Sequence, residues 1–313
     1  MSREVKTNYL KYFIFFSKYE SMQIHNALQQ ISLQLGTTTL SGFSISGLAT
    51  YIQIPEIDFC FDMGECPLSA VSINHIFLSH SHGDHSRCLM RHFALRRMMG
   101  IEKEPVYYIP APIFHNLQDL ITAEAHFEGV HKSQFKMPQL IAVDPTQDYI
   151  NSQYRKDLCF KTFEVEHRVH SLGITIYKQK KKLKSEFLDK NPAELIQLRK
   201  EGHTLETLMR TPYCSFIGDC TGRSLLENIH IFLSEIAIIE CTYLFENEQD
   251  HAQKRGHTHI DEIVSLFKKH PEKIQSTYIV LKHFSMKYTR SQILKNIDEK
   301  IPAEFKEKIL LLI

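Results

Sequence analysis

From Gly42 to Phe61 apolar and polar residues alternate, with Ile45, Tyr51, Ile52, Ile54 and Ile57 supplying β-branched and aromatic side chains ahead of the turn Asp62-Met63-Gly64-Glu65. A period of two marks strands that bury one face. Another strand is predicted at 75–79. The period then changes: residues 86–99 hold no Gly or Pro and place Leu89, Phe93, Ala94 and Met98 at helical spacing, which predicts a helix. A short strand at 106–109 and helices at 113–124, 188–200 and 258–269 complete the pattern. Four of the apolar strand runs finish on a metal-seeking residue: 75–79 before His80, 158–166 before His167, 213–218 before Asp219 and 277–282 before His283. An isolated His or Asp at a strand end is ordinary, but the recurrence predicts four strands delivering ligands from one edge. Strands dominate before residue 180 and helices intervene, a mixture that fits layered sheets covered by helices. No short-period repeat is present.

The densest chemistry lies in His80-Ser81-His82-Gly83-Asp84-His85, three imidazoles and a carboxylate directly after Ile76-Phe77-Leu78. A catalytic zinc takes about three protein ligands and leaves a position for water, so four ligands in one hexapeptide point to a pair of sites. In an extended chain His80 and His82 project to the same side, while Asp84 and His85 reach elsewhere if the backbone turns. Gly83 is expected to make that turn. Two ions need about seven protein ligands with one shared; the hexapeptide with His167, Asp219 and His283 meets that number.

The remaining composition narrows the class. The chain has 313 residues, 43% hydrophobic and 23% charged, with net charge +1, enough to bury one or two domains and too balanced for a globally basic nucleic-acid binder. Seven scattered cysteines without a CxxC pair indicate neither a disulfide framework nor a thiolate zinc site, so a reducing, cytoplasmic location is expected. No apolar stretch approaches the roughly 20 residues of a membrane span. Residues 1–38 read as a mixed polar and aromatic extension of unassigned role, followed by one domain over 39–313.

Read together in order, these segments resemble the metallo-β-lactamase superfamily and, within it, ribonuclease Z of the short, plant-type branch. Phe61 to Pro67 resembles the family's first Asp-containing turn, Ser79 to His85 its metal hexapeptide, Glu166-His167 with Leu172-Gly173 its third-imidazole segment, Gly218-Asp219-Cys220-Thr221 its bridging-aspartate turn, and Leu281 to Tyr288 its HFSxRY segment. Ile239-Glu240-Cys241-Thr242 and Gly256-His257-Thr258-His259 are similar to the Glu- and His-containing loops that distinguish ribonuclease Z. Three departures stand out: Ile239 replaces a common His, His259 a Thr, and Cys88-Leu89 the Gly-Leu after the hexapeptide.

The resemblance implies a four-layer αβ/βα sandwich with two packed mixed sheets, and a zinc-dependent endoribonuclease that removes the 3′ trailer of precursor tRNA through a metal-bridging hydroxide. Two Zn2+ per chain are implied, in an N/O ligand set that also suits Mn2+ or Fe2+. His80, His82 and His167 would hold one ion, Asp84, His85 and His283 the other, with Asp219 bridging. Asp84 would double as the base orienting the attacking water. His257, supported by Glu240, would serve the leaving oxygen, and Asp62 would fix a ligand imidazole. Lys178, Lys180, Lys181, Lys182 and Lys184 fall where the family places its tRNA-gripping arm, here compressed into 178–210 and expected as a short helical clamp. Arg87, Arg91, Arg96 and Arg97 decorate the helix after the hexapeptide. A homodimer is implied in which one subunit's arm serves the other. The alternative is the same binuclear site acting on a small thioester or phosphodiester.

Overall fold

The computed structural model describes residues 29–131 and 133–313. The first sheet runs β1 (Ile31–Leu35), β2 (Thr38–Ser46), β3 (Ala49–Ile54), β4 (Phe59–Phe61), β5 (His75–Phe77), β6 (Val106–Pro110) and β7 (Gln139–Val143), hydrogen-bonded in that order. Its first four strands are antiparallel, the rest parallel. The second sheet holds β8 (Ile150–Asn151), β9 (Leu158–Val165), β10 (Ser171–Leu183), β11 (Glu206–Phe216), β12 (Ile236–Glu240), β13 (Tyr278–Lys282) and β15 (Ile309–Leu311), neighbours in that order. Here β8 to β11 are antiparallel and β11 to β15 parallel. β14 (Phe284–Ser285) crosses over to pair with β2, so the chain around His283 ties the two sheets together.

Alternation along the strands explains the layering. Alternate residues along each strand, such as Phe59 and Phe61 in the first sheet and Phe160, Ile174, Phe216, Ile238 and Val280 in the second, point inward and form the core between the sheets. The opposite face of the first sheet packs under α1 (Gly83–Ser86), α2 (Leu89–Met98) and α3 (Phe114–Phe127). The outer face of the second sheet packs under α5 (Gly222–Glu227), α6 (Gln249–Arg255), α7 (Ile260–Lys269), α8 (Arg290–Lys300) and α9 (Ala303–Lys306). This is the four-layer αβ/βα sandwich. No helix among the described residues is long and apolar enough to cross a membrane.

Local outcomes differ from the linear reading in informative ways. β1 and the first residue of β2 lie inside the stretch read as an extension, because Ile31, Leu33 and Leu35 pack on the inter-sheet core; residues 1–28 lie outside the described residues. Helix 86–99 is divided into α1 and α2, with Arg87 and Cys88 at the break. Gly83 opens α1 with an ordinary negative φ and open space where a Cβ would be, so the turn does not depend on its lack of a side chain.

The arm is a two-stranded ribbon. β10 and β11 stay paired from Lys178–Thr211 out to Leu183–Glu206, and α4 (Pro192–Lys200), capped by Asn191 through a reciprocal bond with Glu194, closes its tip. A helix is present, but strand pairing dominates because the alternating residues of 178–183 satisfy their backbone groups against 206–211. Direction matters more. β10 leaves the ligand edge at Ser171, and at about 3.3 Å per residue Leu183 lies on the order of 40 Å along the strand from it.

Candidate metal centre

The predicted ligands converge at one edge of the sandwich. His80 follows β5, His167 follows β9, Asp219 follows β11 and His283 follows β13. Parallel neighbours β11, β12 and β13 end side by side, which brings Asp219, Glu240 and His283 together although they are far apart in sequence. His80, His82, His167 and Asp219 form one group whose ligand atoms lie within 4.8 Å of one another; Asp84, His85 and His283 form a second, and Asp219 also approaches His257 and His283. Asp219 Oδ2 lies 3.8 Å from His80 Nε2 and 3.3 Å from both His85 Nε2 and His283 Nε2.

Hydrogen bonds set which ring nitrogen faces inward. His80 Nδ1 meets Ser79 Oγ at 2.9 Å, His85 Nδ1 meets Asp62 Oδ2 at 2.7 Å, His167 Nδ1 donates to Gly256 O at 2.7 Å and His283 Nδ1 to Thr242 Oγ1 at 3.0 Å. A neutral imidazole held this way presents a lone pair on Nε2. Those lone pairs crowd one another: His80 Nε2 to His82 Nδ1 is 3.1 Å, His167 Nε2 to His82 Nδ1 is 3.2 Å and His85 Nε2 to His283 Nε2 is 3.3 Å. Asp219 Oδ1, fully buried, has no hydrogen-bond partner. Crowded lone pairs beside an orphaned carboxylate oxygen are relieved by cations, so the donor set fits metal ions.

Electrostatics run the same way for four of the five imidazoles. Burial pushes His80, His82, His167 and His283 below the ordinary imidazole range, favouring the unprotonated, ligating form. Burial also acts against a charged His85, but Asp219 and Asp62 outweigh it and lift that ring to about 10. Burial opposes ionisation of Asp84 and Asp219, yet the surrounding imidazoles prevail and hold both carboxyls below the usual range. The pocket therefore favours positive charge amid ionised carboxylates.

Supporting contacts hold this geometry. Asp62, in a left-handed conformation at φ 60°, accepts from Ser79 N and Oγ as well as facing His85. A Cβ on Gly64 would sit 1.8 Å from Asp84 O, so this turn and the hexapeptide interlock only because position 64 lacks a side chain. Arg87 donates to Gly64 O and Leu48 O, closing the rim, and Gly47 N donates to Asp84 Oδ2 at 2.8 Å.

Beside the ligands sits a second unit. Glu240 Oε1 lies 3.0 Å from His257 Nδ1, and its carboxylate also accepts from Cys220 N and from Thr242 N and Oγ1. Burial would lower His257, but Glu240 reverses that and raises it; burial would raise Glu240, and His257 with its neighbours lowers it. Thr242, which carried no role in the sequence reading, links this pair to the ligand His283; its place two residues after Glu240, on the same side of an extended chain, was the available signal. The departures also resolve. Ile239 is buried on the outer face of its strand, and the donors above hold Glu240 without a His there. His259 caps α7, accepting from Asp261 N and bonding Phe245 O. Lys282 is fully buried with no partner for Nζ, 4.9 Å from the Phe216 ring; nothing in the structure explains it.

Not every basic candidate belongs to a site. Arg96 is only 1% exposed and donates to Val71 O, Ile73 O, Asn74 Oδ1 and Lys103 O; it is a core bracket, not surface decoration. The arm lysines lie away from the metal ligands.

Comparison with known proteins completes the picture. No protein-family model matches the chain. Over 275 residues, 87% of this chain and 92% of the relative, it is 32% identical to tRNase Z TRZ1 of Arabidopsis thaliana. The chain belongs to the tRNase Z family. A second tRNase Z relative from that plant, TRZ2, chloroplastic, is 26% identical, covering 89% of this chain and 77% of its own length. Among solved structures the tRNase Z fold is matched by human tRNase Z, short form, at a TM-score of 0.50, 17% identity and coverage of 80% and 92%. The metallo-β-lactamase fold protein YhfI from Bacillus subtilis matches at 0.55, 13% identity and coverage of 86% and 93%.

Proposed function

We propose that this chain is a metal-dependent endoribonuclease that cuts the 3′ trailer from precursor tRNA. The observation that carries the proposal is the Glu240–His257 pair set against seven converging ligand-type residues in a chain 32% identical to a tRNase Z. His80, His82 and His167 would hold one zinc, Asp84, His85 and His283 a second, and Asp219 would stand between them; Mn2+ or Fe2+ suits the same donors. Bound zinc would make water nucleophilic near neutral pH and offset charge on the phosphoryl oxygens.

The chain's own residues supply the remainder. Asp84, 14% exposed, lies at the mouth, where its carboxylate can orient the attacking water. His257 is tied to Glu240 through Nδ1, which leaves Nε2 free to protonate the departing 3′ oxygen, and the raised affinity of this ring for a proton suits an acid. Asp62, through His85 and Ser79, keeps the ligand rings oriented. The lysines of the arm would grip the tRNA body, and because the ribbon leads away from its own metal edge, a homodimer in which each arm serves a neighbouring site fits the strand direction. All seven cysteines are free, compatible with the cytoplasm.

The deciding assay is cleavage of a precursor tRNA with a 3′ trailer, with products mapped. His82→Ala should abolish the cut, and His257→Ala should slow it by roughly 10²–10⁴-fold while leaving metal content unchanged. No metal-dependent cut on any precursor, alongside hydrolysis of a small thioester or phosphodiester, would replace this reading with the small-substrate one.

A further inference from the structure

The metal centre opens into a groove that the proposed reaction does not use. One cavity of about 570 Å³ includes His167 in its wall and shares Pro145, Glu164 and Glu227 with a second of about 730 Å³ on the outer face of β9 and β10. The two adjoin at these three residues and together run from His167 toward the base of the arm. The far cavity is walled by Tyr149 and Tyr177, whose rings meet edge to face with centroids 5.0 Å apart. Cations flank them: the Arg210 guanidinium lies 4.0 Å over the Tyr149 ring and Lys161 Nζ 5.9 Å from it. Of the acids that border the path, Glu227 is paired with Arg223, Asp144 and Glu166 accept from Thr146 and Thr221 and keep their charge, and Glu164 lines both cavities, so the cations Lys161 and Arg210 gather at the tyrosine end.

We propose that this groove is a track for single-stranded RNA, with bases stacking at Tyr149 and Tyr177 and phosphates paired by Lys161 and Arg210. Half-buried aromatic rings interleaved with cations are the elements that hold unpaired nucleotides without sequence preference. Duplex RNA keeps its bases stacked inside and is recognised by shape, so the tRNA body does not suit such a wall. Tyr177 stands six residues along β10 from Ser171, about 20 Å at strand spacing, a reach of a few nucleotides from the cut. Resting on the tRNA reading above, the occupant is the 3′ trailer, held so that it stays clear of the acceptor stem while the phosphate is cut.

Two measurements test this. With precursor tRNAs carrying either one or about ten trailer nucleotides, Tyr149→Ala should raise KM for the long trailer about tenfold and leave the short one unchanged, while Tyr149→Phe keeps wild-type values. An equal effect on both precursors, or on neither, overturns the track. Separately, fluorescence anisotropy with a labelled oligouridylate of about ten nucleotides should show binding that weakens about tenfold in Tyr149→Ala and persists in Tyr149→Phe. If the wild type cuts no precursor but this binding behaves as stated, the tRNA reading fails and the track stands; if the oligonucleotide does not bind, or binds the Ala variant equally, the track fails whatever is cut.

Discussion

Gly64 and Gly83 both meet the metal-binding turn, and replacing each separates two kinds of constraint. A methyl at 64 collides with the backbone of Asp84, so Gly64→Ala should cost about 1–3 kcal/mol and lower the metal bound per chain. At 83 the space is open, and Gly83→Ala should leave stability within about 1 kcal/mol and metal content intact. Denaturant melts with metal analysis of both variants check the contrast; equal damage would show that the turn needs flexibility at 83. A separate residue-scale effect comes from His92. Its Nδ1 accepts from Tyr107 Oη at 2.7 Å and its Nε2 donates to Ala70 O, and burial together with nearby Arg96 pushes it down to about 4. The unfolded ring, near 6.5, takes a proton first, so this stability is complete above about pH 6.5 and is lost as pH falls through about 4, on the order of 3 kcal/mol in all. His92→Gln should flatten that part of the pH–stability curve; an unchanged slope would refute the assignment. His92 and Arg96 share a helix that reads as solvated and basic, yet both are core, because the loop at 70–74 presents bare carbonyls that only long or aromatic donors reach.

At the scale of elements, strand pairing decides which lysines are available. Lys178, Lys180 and Lys182 face the same way, opposite Thr211, Met209 and Thr207, whereas Lys181 turns to the other face and pairs with Glu206 at 3.8 Å. Lys178 additionally lies 3.3 Å over the Tyr213 ring. Lys180→Gln with Lys182→Gln should therefore weaken precursor binding several-fold and reduce the salt dependence of log K by about two, while Lys181→Gln changes little. Filter binding across a salt series reads this; equal losses for all three positions would mean the ribbon is not gripped from one face. Helix positions from the periodic stretches were legible to within a few residues, since α3 and α7 bury one stripe each. The ribbon was not legible, because a run of lysines satisfies strand and helix spacing equally and only the partner strand settles which forms.

For the whole molecule, the candidate metal centre knits the two sheets: its His and Asp residues come from strand ends in both, and β14 crosses between them beside His283. Removing metal should then loosen the sandwich as a unit. Chelated protein is expected to melt several degrees lower and to regain its stability on adding about two equivalents of Zn2+; calorimetry with a zinc titration measures both, and a melting point indifferent to chelation would argue that the ligand edge is rigid without ions. By itself the sequence determined the metal-seeking residues, the sandwich and the loops of Glu240 and His257, because ligand chemistry and alternation are local properties written at short spacing. Only the tertiary structure decided that Thr242 joins the Glu240–His257 pair to His283, that Arg96 is buried, that Gly64 must be bare, and that the cavity walled by Tyr149 and Tyr177 adjoins the one that His167 lines. These depend on which strand ends lie side by side, a long-range outcome of sheet order that spacing along the chain does not encode.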